Sequence, residues 1–354
     1  MSPVLVTGVT GFIGSHVAWS LLQSGYEVVA LARPGSFPLW RHDSLTLRTG
    51  DIRDITSVRA ALDGCDSVIH SAAHYALWTP HPSAIYEANA QGTRNVLGAA
   101  IEAGVKRIVY TSTVGTARFR KDAPATEMDL SGPQGMAGHY KRSKYEAERI
   151  ALRLARNGAP IVVVNPTAPI GSADVKPTPT GRVIVEFLRG RIPAFVDTGL
   201  NFVDVSDVAE GHVLALERGI PGERYLLGNA DGNLTLAEML IRLSKITGLP
   251  APRWRIPHAL ARLIGNLDGL IEGTLLRREP RIPIEGVRMA HQKMWADPSK
   301  AIHDLGMPQH SVNEALAKAV IWFTEHGYAP SPPSYISGGN RGRTQSRQRQ
   351  ERVR

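Results

Sequence analysis

Tyr140 and Lys144 are the residues whose types and spacing best suit chemistry, within His139-Tyr140-Lys141-Arg142-Ser143-Lys144. Side chains four apart on a helix share one face. There an ammonium can draw a tyrosine's pKa from about 10 toward the working pH, which makes a proton-transfer group for carbonyl and alcohol redox chemistry. Tyr-x-x-x-Lys also arises by chance on solvated helix faces, so the pair needs a companion signal. Val4-Leu5-Val6-Thr7-Gly8-Val9-Thr10-Gly11-Phe12-Ile13-Gly14 supplies one, with glycines at 8, 11 and 14 between a strand-like run and a helical stretch. That is the setting a dinucleotide-binding loop requires. Gly8 permits the tight turn, Gly11 lets backbone N–H groups approach a pyrophosphate, and Gly14 lets the helix pack on the sheet. Thr10, Phe12 and Ile13 complete the loop, where the helix N-terminus faces the phosphates.

The end of the second strand selects the nicotinamide cofactor. An acid there would bond the ribose 2′-hydroxyl of NAD. The residues are Leu31-Ala32-Arg33-Pro34, with no acid. Arg33 can pair with a 2′-phosphate through a charge-assisted fork, so the reading favours NADP over NAD; the alternative is a plain surface arginine. Asp51 and Ile52 after the third strand are placed to flank an adenine. Ser71, Ala72 and Ala73 after the fourth are small enough for backbone to run beside the cofactor.

These groups need a scaffold. Strand candidates are Val4–Thr7, Val28–Ala32, Leu45–Thr49, Ser67–His70, Arg107–Thr111 and 161–165. Helical stretches at 11–23, 55–62, 83–103 and 140–156 lie between them. Alternation at this spacing predicts an α/β fold, a Rossmann-type doubly wound parallel sheet. The pattern changes near residue 168. Residues 169–200 are rich in Pro and Gly, which predicts a binding wall but no sheet. Amphipathic helices are expected at 234–247, 257–270 and 312–325, the last capped by Ser311. The division is a dinucleotide-binding domain at 1–168 with return segments within 202–228, a smaller, mostly helical substrate domain at 169–201 and 229–329, and a disordered basic tail at 330–354.

Residues 341–354 hold six arginines and one glutamate, +5 of the net +9, so the other 340 residues carry +4. Such a tail is a solvated extension capable of weak contact with RNA or an anionic membrane. A single cysteine, Cys65, excludes an internal disulfide and fits a reducing cytoplasm. No leader-like segment is visible, and no apolar run reaches the 18 or so residues of a membrane span. Twelve histidines lack metal-ligand spacing, so no metal is expected. Trp254, Trp295 and Trp322 read as packing residues, and Tyr75 and Trp78 as candidates to line the pocket mouth. The 257–270 helix reads as packed or as a dimer contact, with a membrane surface as the alternative.

Together these motifs resemble the extended short-chain dehydrogenase/reductase superfamily, the NAD-dependent epimerase/dehydratase group, over nearly everything up to residue 328. The resemblance rests on the glycine loop, Gly50-Asp51-Ile52, His70-Ser71-Ala72-Ala73, Asn89 in Asn89-Ala90-Gln91-Gly92, Tyr110-Thr111-Ser112-Thr113 and Tyr140-Lys141-Arg142-Ser143-Lys144. Within the group the chain is most similar to hopanoid-associated sugar epimerases, themselves similar to dihydroflavonol reductases, through Gly138-His139-Tyr140, Asn165-Pro166-Thr167-Ala168-Pro169-Ile170-Gly171 and Val196-Asp197-Thr198-Gly199-Leu200-Asn201. The resemblance implies Tyr140 as general acid/base and Lys144 on the nicotinamide ribose, where it lowers the tyrosine's pKa. It also implies Thr113 as the hydroxyl that binds the substrate oxygen, with Ser112 as rival. Asn89 would brace the active-site strand or an ordered water, and Pro166 would border the cofactor.

Many nucleotide-sugar relatives carry an arginine before a Phe-Val motif, where it binds the diphosphate. Here the segment reads Asn201-Phe202-Val203-Asp204. That and Arg33 favour a reductase, or an epimerase acting on a less charged, lipid-linked substrate. Three readings stay open: a sugar epimerase of the hopanoid-associated type, an NADPH-dependent carbonyl reductase, and a non-catalytic cofactor sensor on the same fold. The partner expected besides the small-molecule substrate is a second copy, in a homodimer.

Overall fold

A computed structural model describes residues 3–276, 278, 280 and 284–333. The expected tail lies outside the described residues from 334 onward. The strands are β1 (Val4–Thr7), β2 (Val28–Ala32), β3 (Leu45–Thr49), β4 (Ser67–His70), β5 (Arg107–Thr111), β6 (Ile161–Pro166), β7 (Ala168–Ile170), β8 (Ala194–Val196), β9 (Gly199–Asp204), β10 (Arg224–Leu227), β11 (Asn233–Thr235), β12 (Trp254–Ile256) and β13 (Lys293–Met294). The helices are α1 (Phe12–Gln23), α2 (Ile55–Leu62), α3 (Pro82–Tyr86), α4 (Gly92–Glu102), α5 (Gly138–Arg156), α6 (Pro179–Leu188), α7 (Val205–Arg218), α8 (Leu236–Thr247), α9 (His258–Asp268), α10 (Ile284–Met289) and α11 (Val312–Glu325).

Seven strands form one parallel sheet in the order β10-β6-β5-β4-β1-β2-β3. It is covered on both faces, because its strands alternate between two apolar cores. Val4, Val6, Val28 and Ala30 pack with Val17 and Leu21 of α1 and Val208 and Ala215 of α7. Leu5, Val29, Leu31 and Val68 pack instead with Val58 of α2, Val96 of α4 and Ala147 and Ala151 of α5. Strand order reverses between β1 and β4, so the crevice at their carboxyl ends is where this architecture receives a ligand. Thr7 and His70 end those two strands.

Residues 169–200 depart from expectation. They hold β7, β8 and the start of β9, within a small sheet of β11-β9-β13 with β7 on β9, and a two-stranded β8–β12 pair. The proline-rich run forms α6 where a loop was expected. Thr178 accepts the Gly181 N–H as cap, and Pro179 occupies the first turn, where its missing N–H costs no hydrogen bond. The helix expected at 83–103 runs without a break through α3, a π turn at Glu87–Gln91 and α4. The helix at 257–270 was expected to be packed, a dimer contact or, alternatively, a membrane-surface helix. Within this chain α9 leaves Leu260, Leu263, Ile264 and Leu267 exposed. Among the described residues no helix is long and apolar enough to cross a membrane.

Candidate active site

The glycine loop is built by close approach. Gly8 turns with φ +79°, and a Cβ there would lie 2.6 Å from the Ala72 nitrogen. At Gly14 a Cβ would lie 2.1 Å from the Gly8 carbonyl oxygen, so α1 seats on the turn only without a side chain. The Gly11 N–H donates to that carbonyl at 2.9 Å. Gly11 is also the N-cap of α1, and no side chain caps it. Phe12, Ile13 and Gly14 form the first turn, directly after Thr10. A helix N-terminus left uncapped over a bare glycine turn fits a pyrophosphate.

Across the crevice, the Thr7 hydroxyl accepts the Ala72 N–H at 3.2 Å and shares a 2.7 Å hydrogen bond with Nδ1 of buried His70. Burial pushes that imidazole down to about 3, so it is neutral. Ser71 lies against Gly14, and Ala73 is exposed. Asn89 is buried in the π turn. It accepts the His74 N–H at 2.6 Å and donates to the His74 carbonyl at 3.0 Å and to Ser143 Oγ at 2.9 Å. It therefore ties the loop after β4 to α5, a bracing contact. Arg33 is exposed at the end of β2, and its charge reaches Asp51. The Arg53 guanidinium holds the Asp51 carboxyl below its usual range. Ile52 turns toward α4, where it crowds Gly92. Pro166 is buried at the end of β6.

α5 puts Tyr140, Lys144 and Glu148 on one face, four residues apart. The Tyr140 ring packs on Tyr75 at a centroid distance of 4.3 Å. The Lys144 ammonium donates to the Thr111 carbonyl at 2.8 Å and to the Tyr110 hydroxyl at 3.1 Å. Burial pulls it down to about 8, against an upward pull from Glu148. Tyr140 itself is raised by burial. This corrects the expectation of a lowered tyrosine: the ammonium is committed to β5, and desolvation of the phenolate dominates.

Ser112 and Thr113 follow directly after β5. Buried Ser112 donates to Glu148, whereas Thr113 caps a short turn by accepting the Gly115 N–H at 3.1 Å. The Ser112 hydroxyl is thus taken up by a buried group, whereas Thr113 is half-buried. Sequence reasoning missed that buried group. Glu148 accepts from Thr116 Oγ1 at 2.8 Å and Asn165 Nδ2 at 2.8 Å, and lies 3.2 Å from an Arg224 guanidinium nitrogen. The available signal was its spacing, four residues beyond Lys144.

On the substrate side, Asn201 is buried. It accepts the Asn229 N–H at 2.9 Å and donates to the Asn229 carbonyl at 2.8 Å and to Asn233 Oδ1 at 2.9 Å. Asp204 caps α7 and pairs with Lys318 at 2.8 Å. Of the tryptophans, Trp322 packs among Phe323, His326 and Tyr328, while Trp254 stands exposed.

A doubly wound parallel sheet, an uncapped glycine turn at its switch point and a Tyr–Lys helix pair define a dinucleotide-dependent class of enzyme. Residues 4–228 match the NAD dependent epimerase/dehydratase family. The chain belongs to that family, within the extended short-chain dehydrogenase/reductase superfamily, and its cofactor is a nicotinamide dinucleotide. It is 44% identical to a dihydroflavonol 4-reductase-like protein of Synechocystis sp., over 91% of this chain and 95% of that one. It is 34% identical to sterol demethylase protein B of Methylococcus capsulatus, over 91% and 98%. The crystal structure of PA4631, a nucleoside-diphosphate-sugar epimerase from Pseudomonas aeruginosa, matches with a TM-score of 0.76 and 28% identity, over 93% and 99%.

Proposed function

We propose that this enzyme is an NADP-dependent reductase of a carbonyl group on a substrate that carries no nucleoside diphosphate. The observation that carries this reading is Asn201. Its amide is buried and spent on Asn229 and Asn233, so the position where nucleotide-sugar relatives present an arginine offers no cation to a diphosphate. Two relatives above 30% identity, one named a dihydroflavonol 4-reductase and one a sterol demethylase protein, support the same direction. Arg33, exposed at the end of β2 with no acid in its place, supports NADP. A sugar epimerase of the hopanoid-associated type is the second reading, favoured by the likeness to PA4631.

In this reading the Thr113 and Tyr140 hydroxyls hold the substrate oxygen. When bound, the cofactor supplies the hydride that reaches the carbonyl carbon. Tyr140 gives its phenolic proton to the oxygen as that carbon is reduced. Burial, which raises Tyr140, keeps it in the protonated form that reduction needs. Lys144 spends two N–H groups on β5 and keeps one for a ribose hydroxyl. Asn89 holds α5 against the loop after β4, so Tyr140 approaches the crevice at a fixed height.

The test supplies NADPH deuterated at nicotinamide C4 with a panel of aryl and steroidal ketones, beside UDP-sugars. Stoichiometric oxidation with label in the alcohol product is expected. Interconversion of a UDP-sugar without net oxidation would establish the epimerase instead. Tyr140→Phe should lose activity by about 10²–10⁴-fold while still binding NADPH. A variant that keeps its turnover removes Tyr140 from the reaction.

A further inference from the structure

Beside the Thr113 turn lies a cleft of about 250 Å³ that the proposed chemistry does not use. Its walls come from the start of α5, α9 and the end of α10. Its basic lining is Lys141, Arg262, Arg288 and His291, and no carboxylate is among the lining residues. We propose that this cleft is an anion subsite that seats a phosphate or carboxylate group of the substrate, with Lys141 at its floor.

Lys141 carries the argument. Its side chain is only 8% exposed. Among the described residues its ammonium meets the Met294 sulfur at 3.9 Å and the face of Phe119 at 5.9 Å, neither of which supplies a counter-charge. A buried ammonium without an anion is costly, and proteins normally pair it or expose it. Here it is held in place at the edge of an open cleft. Arg262 and Arg288 reach the same space from the opposite wall, both from exposed positions. The acid nearest in sequence, Glu285 on α10, is turned to the His139 backbone N–H at 3.1 Å. Burial draws Lys141 down to about 8, so it remains largely charged at neutral pH, and a bound anion would raise it again.

The cleft abuts the reacting end of the site. Lys141 directly follows Tyr140, and its Cε lies 3.4 Å from where a Cβ on Gly115 would stand. Gly115 in turn donates to Thr113. A substrate whose carbonyl oxygen meets Thr113 and Tyr140 can therefore place an anionic arm on Lys141. This differs from the diphosphate position that Asn201 vacates. The inference names a substrate feature and so rests on the reductase reading, but binding is measurable without turnover.

The experiment uses the full chain with NADP⁺ saturating the dinucleotide site, so that phosphate cannot bind there. Inorganic phosphate and succinate are titrated separately by calorimetry at pH 7. At least one should bind saturably, and the tighter of the two identifies phosphate or carboxylate as the group recognised. Arg262→Gln and Lys141→Met should each weaken it by about tenfold or more, the loss of one charge-assisted contact. Lys141→Met should also melt no lower than the parent, because methionine fills the same space without a buried charge. Absence of saturable binding of either anion to the parent, or equal affinity in parent and variants, overturns the subsite. So does a Lys141→Met protein that melts several degrees lower, which would make the lysine a structural element. None of these results touches the deuteride outcome, so the two proposals fail separately.

Discussion

The Lys144 ammonium lies 2.8 Å from the Thr111 carbonyl oxygen, so strand β5 rather than Tyr140 fixes its position. Tyr110, Thr111 and Lys144 form one unit, with the ammonium 4.8 Å over the Tyr110 ring. The lysine thereby presents a fixed charge at the crevice, whatever Tyr140 does.

That fixed charge has a pH signature. Burial lowers Lys144 from its ordinary 10.5 to about 8, with Glu148 pulling the other way. On raising the pH the folded protein releases this proton before the unfolded chain does. Between about pH 8 and 10.5 the unfolded state binds more protons, so this group's contribution to stability rises with pH. Cofactor binding runs the opposite way, because the ammonium is the form that donates to a ribose hydroxyl. NADP affinity, measured by fluorescence titration, should fall as pH passes about 8. Lys144→Met should bind weakly with no such step; a step of equal size in that variant would assign it to another group.

Glu148 gathers Ser112, Thr116, Asn165 and Arg224 beneath the same helix face. Glu148→Gln leaves Arg224 buried without its counter-charge, a loss of about 3 kcal/mol or more. It also removes the upward pull on Lys144, so the pH step in cofactor binding should move to lower pH. Chemical denaturation measures the first effect and the fluorescence titration the second. A destabilised protein whose step stays in place would show that Glu148 serves the fold alone.

Arg33 stands exposed at the end of β2, and Asp51 is close enough to feel its charge. Arg33→Asp replaces a partner for a 2′-phosphate with an acceptor for a 2′-hydroxyl. The ratio of kcat/KM for NADPH over NADH should drop by about tenfold or more, the worth of a charge-assisted hydrogen bond. An unchanged ratio would leave Arg33 a surface residue.

Much of the scaffold was legible in the chain because it is written in local spacing. Glycines at 8, 11 and 14 after the strand-like run Val4-Leu5-Val6-Thr7 leave little choice of turn, and Gly25 and Gly104 adopt the positive φ of helix ends. The segment at 169–200 was misread because proline and glycine content describes breaks in the chain. It does not show that Pro179 sits at a helix N-terminus, where it is tolerated, or that short strands there find partners in β9 and β12.

The sequence by itself determined the alternation that makes the parallel sheet, the glycine turn and the placing of Tyr140 and Lys144 on one helical face. Each of these depends on residues within a few positions of one another. Only the tertiary structure decided that Ser112 is spent on Glu148, that the Lys144 ammonium is held by β5, that Tyr140 is raised rather than lowered, and that Lys141 is buried without a counter-charge among the described residues. These depend on desolvation and on partners such as Glu148, Arg224 and Met294, up to 153 residues away along the chain. Burial and long-range pairing are properties of packing, which residue spacing does not carry.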